Sequence, residues 1–209
     1  MDFAHPLRAV TPTLDGDVLK VLAGADADFT AARIARMVPE ASERGVRKVL
    51  DRLVRQGTVR MNQAGPVRVF SLNREHLAAD AIIGLSRLRA QLVERLTTAV
   101  STWQVKPLAA AVFGSVARAE AGPDSDIDIL VIRPARRSPE GPVWSTQIGD
   151  LQTAVTKWTG NDARVLEYGA DELADGRVSR DRVLRDAMEN GLFFHGSTSA
   201  IRRRLREAK

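Results

Sequence analysis

Gly114-Ser115-Val116-Ala117-Arg118-Ala119-Glu120-Ala121-Gly122-Pro123-Asp124-Ser125-Asp126-Ile127-Asp128 is the stretch on which the reading of this chain turns. Ten residues separate Gly114-Ser115 from Asp126-Ile127-Asp128, and apolar runs at 108–113 and 126–132 read as flanking strands. On a strand successive side chains alternate, so Asp126 and Asp128 project from one face while Ile127 and Ile129 take the other. Two carboxylates placed this way suit hard divalent cations, which prefer oxygen ligands. Two such ions about 3.5–4 Å apart would clamp the attacking and leaving oxygens of an in-line displacement at phosphorus. A glycine where a strand enters a short helix, here 115–120, lets backbone approach closely, and the free amides there favour a phosphate. Ser115 adds a hydroxyl, and Asp124 and Ser125 shape the turn into the second strand.

Taken alone, Asp126-Ile127-Asp128 would be a solvated strand edge. Its surroundings argue otherwise. From 107 onward strands and helices alternate: a helix at 144–158, a strand at 163–168, a helix at 181–190, a last strand at 191–194 and a basic tail at 202–209. Between them 133–142 reads as a loop, whose Arg133, Arg136 and Arg137 are a solvated group or a set of phosphate contacts.

Gly-Ser, ten residues and Asp-x-Asp together resemble the minimal nucleotidyltransferases, within the superfamily that includes DNA polymerase beta. The motif is met at Gly114, Ser115, Asp126 and Asp128, and Arg118 matches a basic residue often found in the first helix after Gly-Ser. The resemblance spans roughly 107–196. It implies a mixed sheet backed by helices and transfer of a nucleoside monophosphate from a triphosphate, ATP first, to a hydroxyl with Mg2+ or Mn2+. Asp126 and Asp128 would be catalytic and hold the metal; Gly114, Ser115, Arg118 and Ser125 would bind the nucleotide. The family often takes a third carboxylate from a later strand, as metal ligand or general base. Glu167 is the candidate and Asp162, at the strand entrance, the other. One register against the family's Val-Asp-Leu-Val run instead puts Leu166 in the acid's place. The minimal group is similar to antitoxin enzymes that adenylylate a toxin, which implies a toxin-like protein acceptor; aminoglycoside-modifying relatives imply a small-molecule hydroxyl.

Upstream residues suggest a second activity. Val18, Leu19 and Leu22 mark one helix, Thr30 caps a second that Pro39 stops, and Ser42 caps a third at 42–56. The third buries Val46, Val49, Leu50 and Leu53, the i, i+3, i+4, i+7 stripe, and Gly57 ends it. Strand-like runs at 58–62 and 67–72 around Gln63-Ala64-Gly65-Pro66 signal a hairpin. Three helices and a hairpin resemble a winged helix-turn-helix. Its recognition helix would carry Arg44, Arg47, Lys48 and Arg55 outward to double-stranded DNA, with Arg60 and Arg68 on the wing. A protein-binding module with a solvated basic face is the plainer alternative. Leu77, Ile82, Leu85, Leu88, Leu92, Leu96 and Val100 predict one long linking helix over 73–106, a bridge or a homodimer seam. The expected organisation is α+β: a winged helix-turn-helix at 1–75, a linking helix at 76–106 and a nucleotidyltransferase fold at 107–209.

Composition bounds these readings. Of 209 residues, 31 are Lys or Arg and 26 Asp or Glu, for a formal net charge of +5, which favours acidic partners without selecting one. The chain has no cysteine, so any metal must be held by oxygen or histidine. His5, near an expected loose terminus, and the lone His76 and His195 suggest structural or surface roles. Trp103, Trp144 and Trp158 read as core anchors, Trp144 alternatively as a face toward the nucleotide. Residues 1–14 lack a basic start with an apolar run, and no stretch is long enough to span a bilayer. The expectation is a cytoplasmic protein without a membrane partner. Either it is a DNA-binding transferase, or a transcriptional regulator whose second domain senses nucleotide or is inert.

Overall fold

A computed structural model describes residues 1–39, 41–174 and 181–207. The chain divides into two units, one of Ala4–Leu88 with Asp2, the other of Arg89–Lys209 with Met1 and Phe3.

The first unit begins with α1 (Leu14–Ala23), α2 (Ala31–Met37) and α3 (Glu43–Arg55). Both sequence-predicted caps are in place. Thr30 Oγ1 accepts from Arg33 N–H at 3.2 Å and Ser42 Oγ from Gly45 N–H at 3.1 Å, each satisfying an orphan donor of the first turn. Strands β1 (Val59–Ala64) and β2 (Val67–Leu72) pair antiparallel from Val59↔Leu72 to Ala64↔Val67. The turn is therefore the two residues Gly65-Pro66. Gly65 takes φ +59°, the sign that the first central residue of such a tight hairpin needs. Phe29 and Phe70 exchange both backbone hydrogen bonds at 2.8 Å, so a short extended segment before α2 lies along the hairpin. Val18, Leu22, Ile34, Val46 and Leu50 are fully buried together with Phe70 and Leu72. His5 is not in a loose terminus. Its Nδ1 lies 2.6 Å from the carboxylate of the buried Asp17, and Arg8 Nη2 donates to the same group at 2.8 Å. Burial opposes the charge of Asp17, but the hydrogen bonds from Arg8 and His5 outweigh it and hold the carboxyl below its usual range.

The expected single linking helix is two helices, α4 (Ala79–Ser86) and α5 (Leu88–Ser101). Arg87 leaves helical geometry at φ −105°, ψ 15°. The apolar stripe serves two cores: Ile82 is buried in the first unit, while Leu92, Leu96 and Val100 are buried in the second. A break between them lets each half present its stripe to its own core.

The second unit is a four-stranded mixed sheet in the order β5-β4-β3-β6, with β3 (Ala109–Val112), β4 (Ile127–Arg133), β5 (Ala163–Gly169) and β6 (Leu192–His195). β3 runs antiparallel to both β4 and β6; β4 and β5 are parallel. Period-two alternation divides the apolar side chains cleanly. Ile127, Ile129 and Val131 pack with α5 and with Trp144, Leu151 and Val155 of α7 (Pro142–Thr159). Leu130 and Ile132 pack on the opposite side with Leu184 and Ala187 of α8 (Arg182–Asn190) and Ile201 of α9 (Thr198–Glu207). Helices thus cover both faces. The expected basic tail is helical over its described part, because Ile201 anchors it in the core while Arg202, Arg203 and Arg204 stay exposed. Trp103 and Trp144 meet edge to face at 5.7 Å within the core, and Trp144 is 2 % exposed, so it presents no face to a ligand. Among the described residues no helix is long and apolar enough to cross a membrane.

Candidate nucleotide and metal site

The turn from β3 into the single-turn helix α6 (Gly114–Ala117) meets the start of β4. Phe113 N–H donates to Asp128 O at 3.0 Å, extending the β3–β4 ladder to the motif itself. Gly114 has φ +68°, and a Cβ there would fall 2.7 Å from Asp128 Oδ2. Glycine suits the left-handed backbone, and a Cβ here would have to push the Asp128 carboxylate aside. Ser115 is half-buried beside it. Because α6 has only four residues, its dipole is small, and any phosphate would be held by the local turn more than by a helix field.

The loop from α6 to β4 is fixed by polar contacts. Glu120 N–H donates to Ser115 O at 2.8 Å, and Ala119 turns with φ +60°. Ser125 Oγ accepts from Gly122 N–H at 3.0 Å, so this hydroxyl shapes the turn. Asn161, 3 % exposed, reaches over from the end of α7. Its Nδ2 donates to Pro123 O at 2.9 Å and to Ser125 O at 2.8 Å. Asn161 is thus the clamp on the segment that delivers Asp126.

Asp126 and Asp128 are both half-buried. Burial first, and then the charge of Asp126, push the Asp128 carboxyl above its usual range, with Arg164 and Arg118 opposing. Two carboxylates that repel one another at a partly desolvated strand end form a donor set that a divalent cation relieves, and oxygen ligands of this kind fit Mg2+ or Mn2+. Arg118 stands at the edge of this field. Its Nε donates to Glu120 at 2.9 Å and its Nη1 to Asp186 of α8 at 3.3 Å, which anchor the guanidinium.

The third carboxylate is where the structure departs from expectation. Register sets Asp128 beside Arg164, Leu130 beside Leu166 and Val131 beside Glu167. Glu167 therefore shares the face of Val131, opposite Asp128. There it pairs with Arg133, which also donates to Glu172 at 3.0 Å and to Arg137 O at 2.7 Å. Arg133, 5 % exposed, is thus a buried anchor and no part of a solvated loop. Asp162 is exposed at the entrance of β5, where its carbonyl accepts from Ile127 N–H at 2.8 Å. Among the described residues no three His, Cys, Asp or Glu side chains group as metal ligands. The residue on β5 that does reach the pair is a cation: Arg164 Nη1 lies 2.9 Å from Asp126 Oδ2. Nothing in the sequence motif pointed to it.

In the first unit Arg44, Arg47, Lys48, Arg55, Arg60 and Arg68 are all exposed. Arg47 pairs with Glu43, Arg60 with Glu75, and Arg68 with Asp51 at 3.8 Å. Among the described residues Arg44, Lys48 and Arg55 enter no ion pair.

Comparison with known proteins adds three findings. Among solved structures the chain is similar to one in a crystal structure of a toxin-antitoxin with AMP-PNP. The two share 15 % identity over 56 % of this chain and 82 % of that one, with a TM-score of 0.39. No curated protein matches the chain. Residues 93–183 match the nucleotidyltransferase domain family, and that segment contains Gly114, Ser115, Asp126, Asp128 and Arg164.

Proposed function

We propose that this protein is a metal-dependent nucleotidyltransferase joined to a winged helix-turn-helix that binds double-stranded DNA. The observation that carries the first half is the meeting of Gly114 with Asp128, with Asp126 beside it, inside the segment that matches the nucleotidyltransferase domain. Asp126 and Asp128 hold Mg2+ or Mn2+, which supplies charge neutralisation at the triphosphate. Gly114 lets the Asp128 carboxylate lie against the turn, Ser115 offers the phosphates a hydroxyl, and Arg118 adds a fixed positive charge. In the transfer, an acceptor hydroxyl oxygen bonds to the α-phosphorus of ATP and the bond to the β-phosphate oxygen breaks, releasing pyrophosphate. With Glu167 on the other face, the hydroxyl proton leaves to a group of the acceptor or to water. The acceptor favoured by the family resemblance is a protein of the toxin type.

The test is incubation with α-labelled ATP and Mg2+, alone and with proteins expressed from neighbouring genes. Label transferred by the native chain and lost in Asp126→Asn and Asp128→Asn supports transfer. Retained nucleotide binding without transfer to any of these acceptors supports the second reading, a DNA-binding regulator whose second unit senses nucleotide. The cation at Arg164 in place of a third acid is the observation that favours it. Neither metal-dependent transfer nor metal-dependent nucleotide binding would refute both.

A further inference from the structure

Arg164 occupies the place beside Asp128 on the neighbouring strand, and its guanidinium lies 2.9 Å from Asp126 Oδ2. The two partners are unequally held. The Arg164 side chain is 72 % exposed and that of Asp126 29 %. Asp126 is fixed by the clamped loop, whereas among the described residues Arg164 is held at its tip by one carboxylate and can let go without disturbing the core. The other guanidinium of the site, Arg118, is tied down by both Glu120 and Asp186. A planar guanidinium on a long arm suits carboxylate and phosphate oxygens alike.

We infer that Arg164 is a built-in counter-ion: it holds Asp126 in the metal-free site, yields that carboxylate to a divalent cation, and is then released to the oxygens of the bound triphosphate. The inference rests on the metal–nucleotide reading above and adds a coupling to it. The metal must displace a positive charge to reach Asp126, so it binds weakly alone. Once displaced, the guanidinium becomes a phosphate ligand. Metal and nucleotide therefore strengthen one another's binding reciprocally, as linkage requires. Without a nucleotide the arginine competes with the metal for Asp126.

The experiment is a Mn2+ titration of the full chain, followed by the EPR signal of free Mn2+, for the native protein, Arg164→Gln, Arg164→Glu and Asp126→Asn. In the absence of nucleotide, Arg164→Gln is expected to bind Mn2+ about three- to tenfold more tightly than the native chain, and Arg164→Glu more tightly again, given the strength of a partly exposed charge contact. Asp126→Asn should lose the site. With a non-hydrolysable ATP analogue present, Arg164→Gln should bind the Mn2+–nucleotide complex several-fold more weakly than the native chain. Equal Mn2+ affinity in the native chain and Arg164→Gln overturns the counter-ion, while Asp126-dependent binding in both leaves the metal reading standing. Tighter Mn2+ with unchanged nucleotide binding overturns the release to phosphate. Mn2+ binding that Asp126→Asn does not alter refutes the metal site and the inference together. Circular dichroism of each variant establishes that the fold is retained.

Discussion

The Asp128 carboxylate lies against Gly114: a Cβ at residue 114 would fall 2.7 Å from Oδ2, and the backbone there has φ +68°. Gly114→Ala therefore meets two obstacles at once. The left-handed backbone costs an L-residue about 1–2 kcal/mol, and the methyl pushes the carboxylate away from where a cation needs it. The expected outcome is a lower melting temperature together with at least tenfold weaker Mn2+ binding. Gly122→Ala is the control, since nothing stands within 4 Å of a Cβ at residue 122. If Gly114→Ala bound metal as the native chain does, close contact at Gly114 would have no part in the site.

The repulsion between the aspartates gives a prediction whose sign runs against function. Burial and Asp126 raise the Asp128 pKa in the folded state. The group's contribution to stability is then fully present below the unfolded Asp value, about 3.9, and is lost as pH rises through the elevated folded value. At neutral pH an ionised Asp128 is a net cost to the metal-free fold. Asp128→Asn should raise the melting temperature at pH 7 by about 1–3 °C, a small shift because the group is partly solvated. It should have little effect at pH 3, where the native carboxyl is already neutral. Mg2+ should stabilise the native chain and not the variant, and native metal affinity should fall as pH drops through the raised pKa. Scanning calorimetry at both pH values, with and without Mg2+, measures all of this. Destabilisation by Asp128→Asn at pH 7 without metal would contradict it.

Much of this was legible in the sequence because it depends on local chemistry. Thr30 and Ser42 announce their helices through a side-chain oxygen facing the first-turn amides, and both caps form. Alternation along β4 separates Asp128 from Ile127 and Ile129 before any partner strand is known. What could not be read was register. Whether Arg164, Leu166 or Glu167 comes beside Asp128 depends on how β5 slides along β4, and one residue of slip exchanges the faces. The break at Arg87 was hidden for a related reason: Ile82 and Leu92 continue one apolar spacing, and only the cores they enter show that they belong to separate units.

Glu167 tests that register. On the face opposite Asp128 it neutralises the buried Arg133. Glu167→Gln should leave Mn2+ affinity unchanged and lower stability by about 1–3 kcal/mol, less than for a fully orphaned buried charge because Glu172 and the Arg137 carbonyl remain. Denaturant unfolding and a Mn2+ titration on one preparation separate the two effects. A loss of metal binding at unchanged stability would return Glu167 to the site.

Asn161 predicts a different combination. It is buried and supplies the hydrogen bonds to Pro123 O and Ser125 O just ahead of Asp126. Asn161→Ala leaves both carbonyls without that donor, at about 1–3 kcal/mol, and frees the segment that positions Asp126. Stability and metal affinity should fall together, in contrast to Glu167→Gln, although neither side chain would touch the metal. Unchanged metal affinity in Asn161→Ala would mean that the loop is set by β4 alone.

The proposed DNA contact makes a prediction about which cations matter. On α3 and the hairpin, Arg47, Arg60 and Arg68 already face Glu43, Glu75 and Asp51, whereas Arg44, Lys48 and Arg55 are unpaired among the described residues. A cation with a carboxylate partner must exchange it for a phosphate and gains less from binding. Each unpaired cation that meets a phosphate releases a counterion and adds about 0.9 to the slope of log affinity against log salt. Arg44→Ala and Lys48→Ala should each reduce that slope by about one and weaken binding at low salt. Arg60→Ala and Arg68→Ala should change it less. Electrophoretic shifts on the chain's own upstream DNA across a salt series measure the slopes. Equal losses for paired and unpaired positions would show that the acids are displaced on binding. No loss at Arg44 and Lys48 would remove α3 from the interface and leave the plainer alternative, a protein-binding helical unit with a solvated basic face.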